Sequence, residues 1–462
     1  FKHALTHEVA YGGVLQERRR TLHATILLTL ERLHAERLGE HAEVLAHHAE
    51  RAGIASKAVR YLREAGAKAA ARSANREAID FFERALAHLA GLPQTPETLA
   101  ETIDVRIALG SPLIAMHGPP SPVVEASYSA ALELVERLDD ASRRFPVLWG
   151  LWYVRFTRTD YTRAVKAGER LLQTARQGND SGQLLEAHHT LWPTLVSMGE
   201  VKRALPHIEE GFALYDRERH GSIGSLYGGH DPGACCRYFQ AFSHWGLGYP
   251  DRALAAAREA MRLAETLGHA MTSTMTLGFV ASLLHLRGDR QAAIDAGERC
   301  MAIIDAHGFR GRAGSVAVML YAACGERPDV AAIDALELKR SLDSGTWLYA
   351  LTGCTVASLY GEAGAPEQGL QMLARMSAEQ RTGFYGPEVH RVEGELRRCL
   401  APGAFDEAER CFHLAIDLAR RRALRSLELR AATSLARLRR DRGRGEEARR
   451  ALADIYGWFT EG

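Results

Sequence analysis

The histidines, cysteines and acids of this sequence are the residue types that could ligate a metal or catalyse a reaction. His3 and His7 are four residues apart and would share one face of a helix, which is a spacing that suits a metal. His47 and His48 are adjacent, so on a helix they face different ways, and we expect them to serve packing. The seven cysteines include no C-x-x-C pair, and most fall among apolar residues of predicted helices. We therefore expect free buried thiols, without disulfides or a metal.

Catalytic signatures are missing from the sequence. No Ser/His/Asp, Cys/His or paired-carboxylate arrangement stands out, and the acids mostly lie i,i+4 from arginines, which is ordinary helix stabilisation. The phosphate-binding loop G-x-x-x-x-G-K-[ST] does not occur. Gly308, Gly311 and Gly314 predict a flexible connection between helices. The sequence therefore predicts a chain that is not an enzyme and holds no cofactor.

The segment His230-Asp231-Pro232-Gly233 follows a glycine-rich turn and is the least ordinary polar segment. Asp231 can cap a helix by accepting a hydrogen bond from its first turn, and Pro tolerates the first helical position. A second hypothesis is a loop that folds into a groove and contacts a ligand. Replacing Asp231 with Ala separates the two, because losing a cap costs about 1 kcal/mol of stability, whereas losing a ligand contact costs affinity.

The elements that position these side chains are predicted to be helices in a repeat. Ala, Leu, Arg and Glu dominate the sequence and are good helix formers. A small residue recurs about five residues after a turn, typically one with a glycine, and would allow two helices of a hairpin to cross closely. Its steps are 37 to 40 residues, apart from one of 49. The positions are Ala164, Ala204, Ala253, Ala293, Ala332, Gly369, Ala408 and Ala448. This spacing predicts hairpins similar to tetratricopeptide repeats, with a HEAT-like array as the alternative.

The repeat spacing also predicts a groove. In tetratricopeptide arrays the first helix of each hairpin lines the concave face, and its second, fifth, ninth and twelfth positions tend to touch ligands. Counting back nineteen residues from each small residue gives the first position. The candidates are Trp149, Tyr153, Phe156, Glu186, His189, Tyr238, Phe242, Trp245, His285, Tyr321, His390, Glu393, Arg397, Arg430, Arg437 and Arg440.

An aromatic stretch of this groove would lead into a basic one. Aromatic residues can anchor apolar side chains, and arginine holds carboxylates by paired hydrogen bonds. The hypothesis is a groove for an extended peptide with an acidic end. The alternative is that the aromatic residues pack between neighbouring repeats.

The composition limits the partners. The chain has 462 residues and a formal net charge of +1, which argues against bulk attraction to nucleic acid or to an anionic membrane. No apolar run is long enough to span a bilayer, and we expect a cytoplasmic protein. The arginine-rich segment 420–450 favours a solvated helix face, with an acidic protein partner as one alternative and a nucleic acid as a weaker one.

Several stretches resemble known bacterial signalling proteins. Residues 1–11, together with Leu45-Ala46-His47-His48, resemble the segments that follow the nucleotide-binding module of STAND-type ATPases, where the first of them closes a winged-helix-like subdomain. The segments 228–233, 429–436 and 456–462 resemble the C-terminal tetratricopeptide region of proteins that join a class III adenylate/guanylate cyclase domain to an ATPase module.

The resemblance covers nearly the whole chain and implies a fragment whose cyclase and ATPase parts lie upstream. By the same parallel, His3 precedes the first helix, which argues against a metal site with His7. The sequence departs from the family at His7, where Gln is usual, and at Arg439, where an aromatic residue is frequent. The sequence predicts three divisions. Residues 1–40 would form the end of a winged-helix-like module and the first helices. Residues 41–92 would form a helical connector, and residues 93–462 the repeat array.

The predicted fold is an all-α right-handed solenoid of tetratricopeptide-like hairpins after a short winged-helix-like remnant. The predicted function is a non-catalytic scaffold that binds a protein or peptide and regulates a larger signalling ATPase/cyclase. The alternatives are a small-molecule sensor groove and the effector-binding part of a STAND transcriptional regulator. A peptide ligand predicts an open groove, whereas a small-molecule ligand predicts a closed superhelix with a central pocket. A DNA regulator needs a helix-turn-helix elsewhere.

Overall fold

Every regular element among the described residues is a helix. The computed structural model describes residues 11, 13–178, 180–221, 223–309, 313–325, 328–336, 348–400 and 405–462. No strand occurs in these ranges, so the all-α prediction is confirmed. Residues 1–10, with the His3 and His7 pair and most of the segment compared with a winged-helix module, lie outside the described residues.

The helices follow one another as antiparallel pairs joined by short turns. The first six are α1 Gln16–Leu33, α2 Ala42–Ala52, α3 Ala55–Ala71, α4 Asn75–Ala90, α5 Pro96–His117 and α6 Pro122–Leu138. The next nine are α7 Ala141–Thr157, α8 Tyr161–Gln177, α9 Ser181–Ser197, α10 Val201–Leu214, α11 Arg217–His220, α12 Pro232–Leu247, α13 Pro250–Leu267, α14 Ala270–Arg287 and α15 Arg290–His307. The last nine are α16 Ala313–Cys324, α17 Val330–Ala335, α18 Leu348–Glu362, α19 Pro366–Ala374, α20 Ala378–Thr382, α21 Gly386–Leu400, α22 Phe405–Arg422, α23 Arg425–Asp441 and α24 Gly445–Tyr456.

The chain divides into two compact units. The first comprises residues 1–113 and 126–147, and the second comprises residues 114–125 and 148–462. The proline-containing linker predicted at 92–96 lies inside the first unit. The predicted divisions after residues 40 and 92 therefore differ from this partition, and they stay predictions.

The first unit is held by close helix pairs and by ion pairs between half-buried side chains. A Cβ atom added at Gly66 would lie 2.7 Å from the ring of Phe82, so α3 and α4 approach as closely as that glycine allows. Arg143 makes two hydrogen bonds to Asp104, of 2.6 and 3.0 Å, between α7 and α5. Apolar contact and charge pairing thus act together between neighbouring helices.

The small residues of the repeat lie where two helices cross, as the spacing predicts. Ala164, Ala204, Ala253 and Ala408 are fully buried. A Cβ atom at Gly369 would lie only 2.8 Å from the carbonyl oxygen of Ala357, on the preceding helix. A larger side chain at these positions would push the hairpin apart, which explains the composition of the repeat.

The turns between paired helices use the left-handed backbone region. Gly248, between α12 and α13, has a φ of +93°, which favours glycine. Thr159, between α7 and α8, stands where other hairpins have glycine, and its φ is +64°. The hairpin that lacks the glycine therefore keeps the same turn at some backbone strain.

The second unit closes on itself, because its early hairpins contact its last ones. The Phe384 N–H donates to the carbonyl oxygen of Ser197 at 3.0 Å, and the Ser426 hydroxyl donates to that of Trp245 at 2.5 Å. The Trp458 ring lies 5.5 Å from that of Tyr249, centroid to centroid. Residues 197–249 thus touch residues 384–458 across the array. A peptide ligand predicts an open, extended groove and a small-molecule ligand a closed superhelix, and these contacts resemble the closed form.

Among the described residues, no helix is both long and apolar enough to cross a bilayer.

Candidate ligand pocket

The first helices of five consecutive hairpins enclose a pocket within the second unit. Its empty space is about 780 Å³, counting the part that opens to solvent. The lining residues come from α7, α9, α12, α14 and α16, with Pro119 and His230 added from the segments before α6 and α12. They are Pro119, Trp152, Tyr153, Phe156, Thr157, His189, Pro193, His230, Cys235, Tyr238, Phe239, Thr274, Met275, Gly278, Phe279, Ser315 and Val316.

Two stacked aromatic pairs line the pocket. Trp152 and Phe156 are one helical turn apart on α7, and their rings stack with centroids 5.4 Å apart and planes 12° from parallel. Tyr238 of α12 stacks on Phe279 of α14 at 4.4 Å. Since these residues recur at helical spacing on first helices, their side chains reach the same enclosed space.

The polar end of the pocket is a short chain of hydrogen bonds. His189 Nδ1 lies 2.8 Å from Glu186 Oε2, and His189 Nε2 lies 3.2 Å from Cys235 Sγ. His230 packs edge-on against His189, with ring centroids 5.1 Å apart. Glu186 is fully buried, and the other three residues are nearly so.

Burial keeps these groups uncharged. It raises the pKa of Glu186 well above its usual range, and the nearby Trp149 indole opposes this rise. It lowers the pKa of His189 to about 3 and raises that of the Cys235 thiol. A buried neutral thiol is a poor nucleophile, so the contact between Cys235 and His189 does not by itself form a catalytic pair.

Asp231 caps α12. Its Oδ1 accepts from the N–H of Ala234 at 2.8 Å, and Oδ2 accepts from the Tyr215 hydroxyl at 2.9 Å. Burial raises the pKa of Asp231 to about 6, and these two donors oppose the rise. The carboxyl group is occupied by its own chain, whereas the neighbouring His230 reaches the pocket.

The structure brings together about half of the aromatic and histidine candidates. Tyr153, Phe156, His189, His230 and Tyr238 all line the pocket.

Three other aromatic candidates lie outside the lining. Trp149 lies behind it, with its ring 5.2 Å from that of Trp152. Phe242 and Trp245 each lie 6.4 Å from the ring of Phe384, on a later part of the chain. A ligand role for these three stays a prediction without a pocket contact to support it.

The basic candidates are mostly engaged by the chain's own acids. Arg430 makes two hydrogen bonds to Glu388, of 2.8 and 3.1 Å, which is the paired geometry expected for a peptide carboxylate. Arg397 bonds to Glu393 and Glu407, at 2.9 and 2.8 Å.

Three further candidates also lie away from the pocket lining. His285 is half-buried. Its pKa is lowered mainly by burial and further by the charge of the nearby Arg430. The Tyr321 hydroxyl accepts from the N–H of Asp329 at 3.2 Å. Arg437 is exposed.

Sequence reasoning missed Trp152, Cys235 and Phe279 as pocket residues. The spacing rule does include Cys235, which stands at the second position of its helix, three residues before Tyr238. Cys235 was not among the candidates, because cysteines were expected to be buried packing residues. Trp152 and Phe279 fall outside the four counted positions, so the rule offered no signal for them.

Comparisons with known proteins identify no family and no function for this chain. No family model matches the chain. An uncharacterized protein of Rhizobium meliloti (strain 1021) is 26% identical over 449 residues, which is 95% of this chain and 43% of that protein. The chain thus spans less than half of that relative.

Solved structures with a similar course of helices share little sequence. A Rap protein complexed with competence and sporulation factor is 12% identical, with 86% of this chain and 98% of that chain covered and a TM-score of 0.47. A monomeric IFIT1 mutant with Gppp-AAAA is 12% identical, with 90% and 89% covered and a TM-score of 0.40. At these values neither likeness indicates a ligand for this chain.

Proposed function

We propose that this chain is a non-catalytic sensory scaffold whose second unit binds a compact, largely apolar ligand in its aromatic pocket. The observation that carries the proposal is the lining of one aromatic pocket by five first helices, in a unit whose residues 197–249 contact residues 384–458. Ligand sites are typically concave and mostly apolar, with a few polar groups that fix orientation. This pocket has that composition, with aromatic walls and one polar end.

The closed form favours a small ligand over an extended peptide. Phe384 packs against Phe242 and Trp245, on the face where a peptide would run along α12. Arg430 and Arg397, the groups expected to hold an acidic peptide end, are paired with buried or half-buried acids of the same chain. An external carboxylate would have to displace those acids and leave them unpaired, which is costly.

The chemistry of the walls indicates the class of ligand. Trp152, Phe156, Tyr238 and Phe279 offer flat apolar surfaces, which suit an aromatic or alicyclic body. His189 and His230 add hydrogen-bonding groups at one end. The expected ligand therefore has an uncharged ring system with a single polar group.

A fluorescent probe tests the pocket directly. N-phenyl-1-naphthylamine is uncharged and aromatic, and its emission rises in apolar surroundings. We expect saturable binding by the folded chain. Ser315, at the pocket rim, is half-buried, and Ser315→Trp should fill the space and weaken binding by at least about tenfold, which corresponds to about 1.4 kcal/mol.

A matched control locates the binding. Ser273 is also half-buried and in the first turn of a helix, but it lines a different cavity, beside Met261 and Leu277. Ser273→Trp should leave probe affinity unchanged. If Ser273→Trp weakens binding while Ser315→Trp does not, the ligand site lies elsewhere and the proposal fails.

The proposal also includes a regulatory role for this chain within a longer signalling protein. The resemblance to the C-terminal region of cyclase-linked STAND ATPases, and a relative more than twice as long, support a place within a longer signalling protein. In that protein, ligand binding in the pocket would alter how the array contacts a neighbouring protein module. A measurement of nucleotide hydrolysis by the full-length protein, with and without a pocket ligand, tests this link.

A further inference from the structure

Three side chains that commonly ligate transition metals meet at the polar end of the pocket. They are His189 of α9, His230 just before α12, and Cys235 in the first turn of α12. One ligand atom from each lies within 4.8 Å of the other two, and all three residues are buried. We propose that His189, His230 and Cys235 bind a Zn²⁺ ion. This site lies at the polar end of the pocket described above, and its metal binding does not require the organic ligand.

The distances are close to those of a metal site. In a tetrahedral zinc site, with Zn–N of about 2.1 Å and Zn–S of about 2.3 Å, a nitrogen and a sulfur ligand lie about 3.6 Å apart. His189 Nε2 and Cys235 Sγ are 3.2 Å apart. This pair would have to separate by a few tenths of an ångström to admit the ion, and the ligand atom of His230 lies within 4.8 Å of both.

The donor types select the metal. Two imidazole nitrogens and a sulfur suit Zn²⁺ and other borderline or soft ions, whereas Mg²⁺ and Ca²⁺ require oxygen ligands. With three protein ligands, a fourth position remains. Because all three side chains line the pocket, that position is directed to the cavity, where water or a ligand atom can complete a tetrahedron.

The surrounding groups hold the imidazoles in the orientation a metal needs. Metal-bound histidines usually donate their second ring N–H to a carboxylate or a carbonyl oxygen. Glu186 Oε2 lies 2.8 Å from His189 Nδ1, and the Gly228 carbonyl oxygen lies 3.3 Å from His230 Nδ1. In both histidines this contact is made through Nδ1, and Nε2 is the nitrogen that the proposal assigns to the ion.

Metal binding at Cys235 is a ligand exchange. Zinc binding displaces the thiol proton of Cys235 into solvent and forms a Zn–S bond with the thiolate. The Tyr238 hydroxyl and the Trp192 indole lie near this sulfur. Glu186, which is fully buried beside His189, would hold that imidazole in the orientation for the ion.

A nucleophilic Cys–His–Glu arrangement is the competing explanation of the same contacts. It assigns no role to His230, although this residue lies beside both other ligands. It also requires Cys235 to ionise inside an apolar pocket without a cation. The metal site accounts for all four polar groups, so the observations favour it.

The test uses the full chain without a polyhistidine tag, stripped of metal with a chelator. Added Zn²⁺ should bind at one equivalent per chain and raise the unfolding temperature. Added Co²⁺ should give tetrahedral d–d absorption and a sulfur-to-cobalt charge-transfer band. These readouts need no variant, so they remain informative if a substitution impairs folding.

Variants then assign the ligands. Cys235→Ser should abolish the charge-transfer band. His230→Gln should weaken Zn²⁺ affinity more than Glu186→Gln does. Glu186→Gln should weaken it by about tenfold to a hundredfold while keeping the band. Folding of each variant is checked by circular dichroism.

The chain supplies matched controls next to two of the ligands. His188 Nδ1 lies 3.1 Å from His207 Nδ1, and the Cys236 thiol donates to the carbonyl oxygen of Ile208 at 3.1 Å. His188→Gln and Cys236→Ser should leave metal affinity and the cobalt spectrum unchanged. The proposal is overturned if wild type binds no stoichiometric Zn²⁺, or if Cys235→Ser binds it as tightly as wild type and retains the charge-transfer band.

Discussion

At the scale of single residues, the polar side chains of this chain are mostly committed to its own structure. Asp231 caps α12 and accepts from Tyr215, and Arg430 holds Glu388 with two hydrogen bonds. In both cases the sequence shows which residues could form hydrogen bonds. It does not show which residues pair, because Glu388 and Arg430 are 42 positions apart and on different hairpins.

The cap predicts a stability effect at Asp231. Asp231→Ala should lower the free energy of unfolding by about 1–3 kcal/mol, since it removes a cap and leaves the Tyr215 hydroxyl without its acceptor. Asp231→Asn should cost less, because the amide oxygen can still accept. Urea unfolding measures both.

The control for this effect is Asp180, an exposed cap on α9 that accepts from the N–H groups of Gly182 and Gln183. Asp180→Ala should cost about 1 kcal/mol or less. Probe binding in the pocket should survive both substitutions. A large loss of probe affinity in folded Asp231→Ala would instead support a direct ligand contact.

Glu388 predicts a dependence of stability on pH. Burial alone would raise its pKa, but the charges of Arg391 and Arg430 outweigh burial and hold the pKa well below the usual range. The stabilising contribution is therefore present above the unfolded-state pKa of about 4.3 and is lost as the pH falls below it toward the folded value. Glu388→Gln should cost about 3–5 kcal/mol at pH 7, because it leaves two arginines without their shared carboxylate.

The difference between wild type and Glu388→Gln isolates this group from other titrating acids. Chemical unfolding at several pH values from 7 down to about 3.5 should show the difference shrinking as the pH falls. Glu447, an exposed acid 3.9 Å from Arg444, supplies the control, and Glu447→Gln should change stability by less than about 1 kcal/mol. A pH-independent difference for Glu388→Gln would contradict the ion-pair account.

At the scale of elements, the hairpin repeat follows from local sequence. Small residues mark the crossings and glycines mark the turns, and both signals act over a few residues. Gly297 illustrates the first, because a Cβ atom there would lie 2.6 Å from a methyl carbon of Leu320. Gly278 differs, since a Cβ atom there meets its nearest neighbour, a methyl carbon of Val316, at an ordinary 3.6 Å.

These two helical glycines predict opposite effects of the same substitution. Gly278→Ala should raise the free energy of unfolding by up to about 1 kcal/mol, because alanine is the better helix former and the space admits it. Gly297→Ala should lower it by about 1–3 kcal/mol, because the added methyl group overpacks the contact between α15 and α16. Thermal and urea unfolding of the two variants provide the comparison, and equal effects would contradict the packing described.

What local sequence cannot predict is which distant elements meet. The repeat count placed Tyr153, Phe156, His189 and Tyr238 on first helices, and all four line the pocket. It could not indicate that Phe384 covers Phe242 and Trp245, since that contact depends on the summed rotation of several repeats. The meeting of Cys235 with His189, 46 positions away, depends on the same geometry.

At the scale of the second unit as a whole, contacts between residues 197–249 and 384–458 distinguish it from an open array, which offers a long surface. These contacts and the aromatic pocket are the two features that support our proposal of a compact ligand. The peptide groove expected from the sequence is the alternative against which that proposal is tested.

Phe384 predicts how strongly closure stabilises the unit. Its side chain is nearly fully buried and contacts Phe242 and Trp245. Phe384→Ala should lower the free energy of unfolding by about 3–5 kcal/mol. Tyr456, which is 70% exposed near the end of α24, is the control, and Tyr456→Ala should be nearly neutral. A neutral Phe384→Ala would mean that the early and late hairpins do not pack together.

The most direct test of the central claim is a crystal structure of the chain with N-phenyl-1-naphthylamine. We predict density for the probe between the Trp152–Phe156 wall and the Tyr238–Phe279 wall, with the helices in the arrangement described here. Density for the probe only at the cavity beside Met261, or on an open surface with residues 384–458 separated from residues 197–249, would contradict the claim.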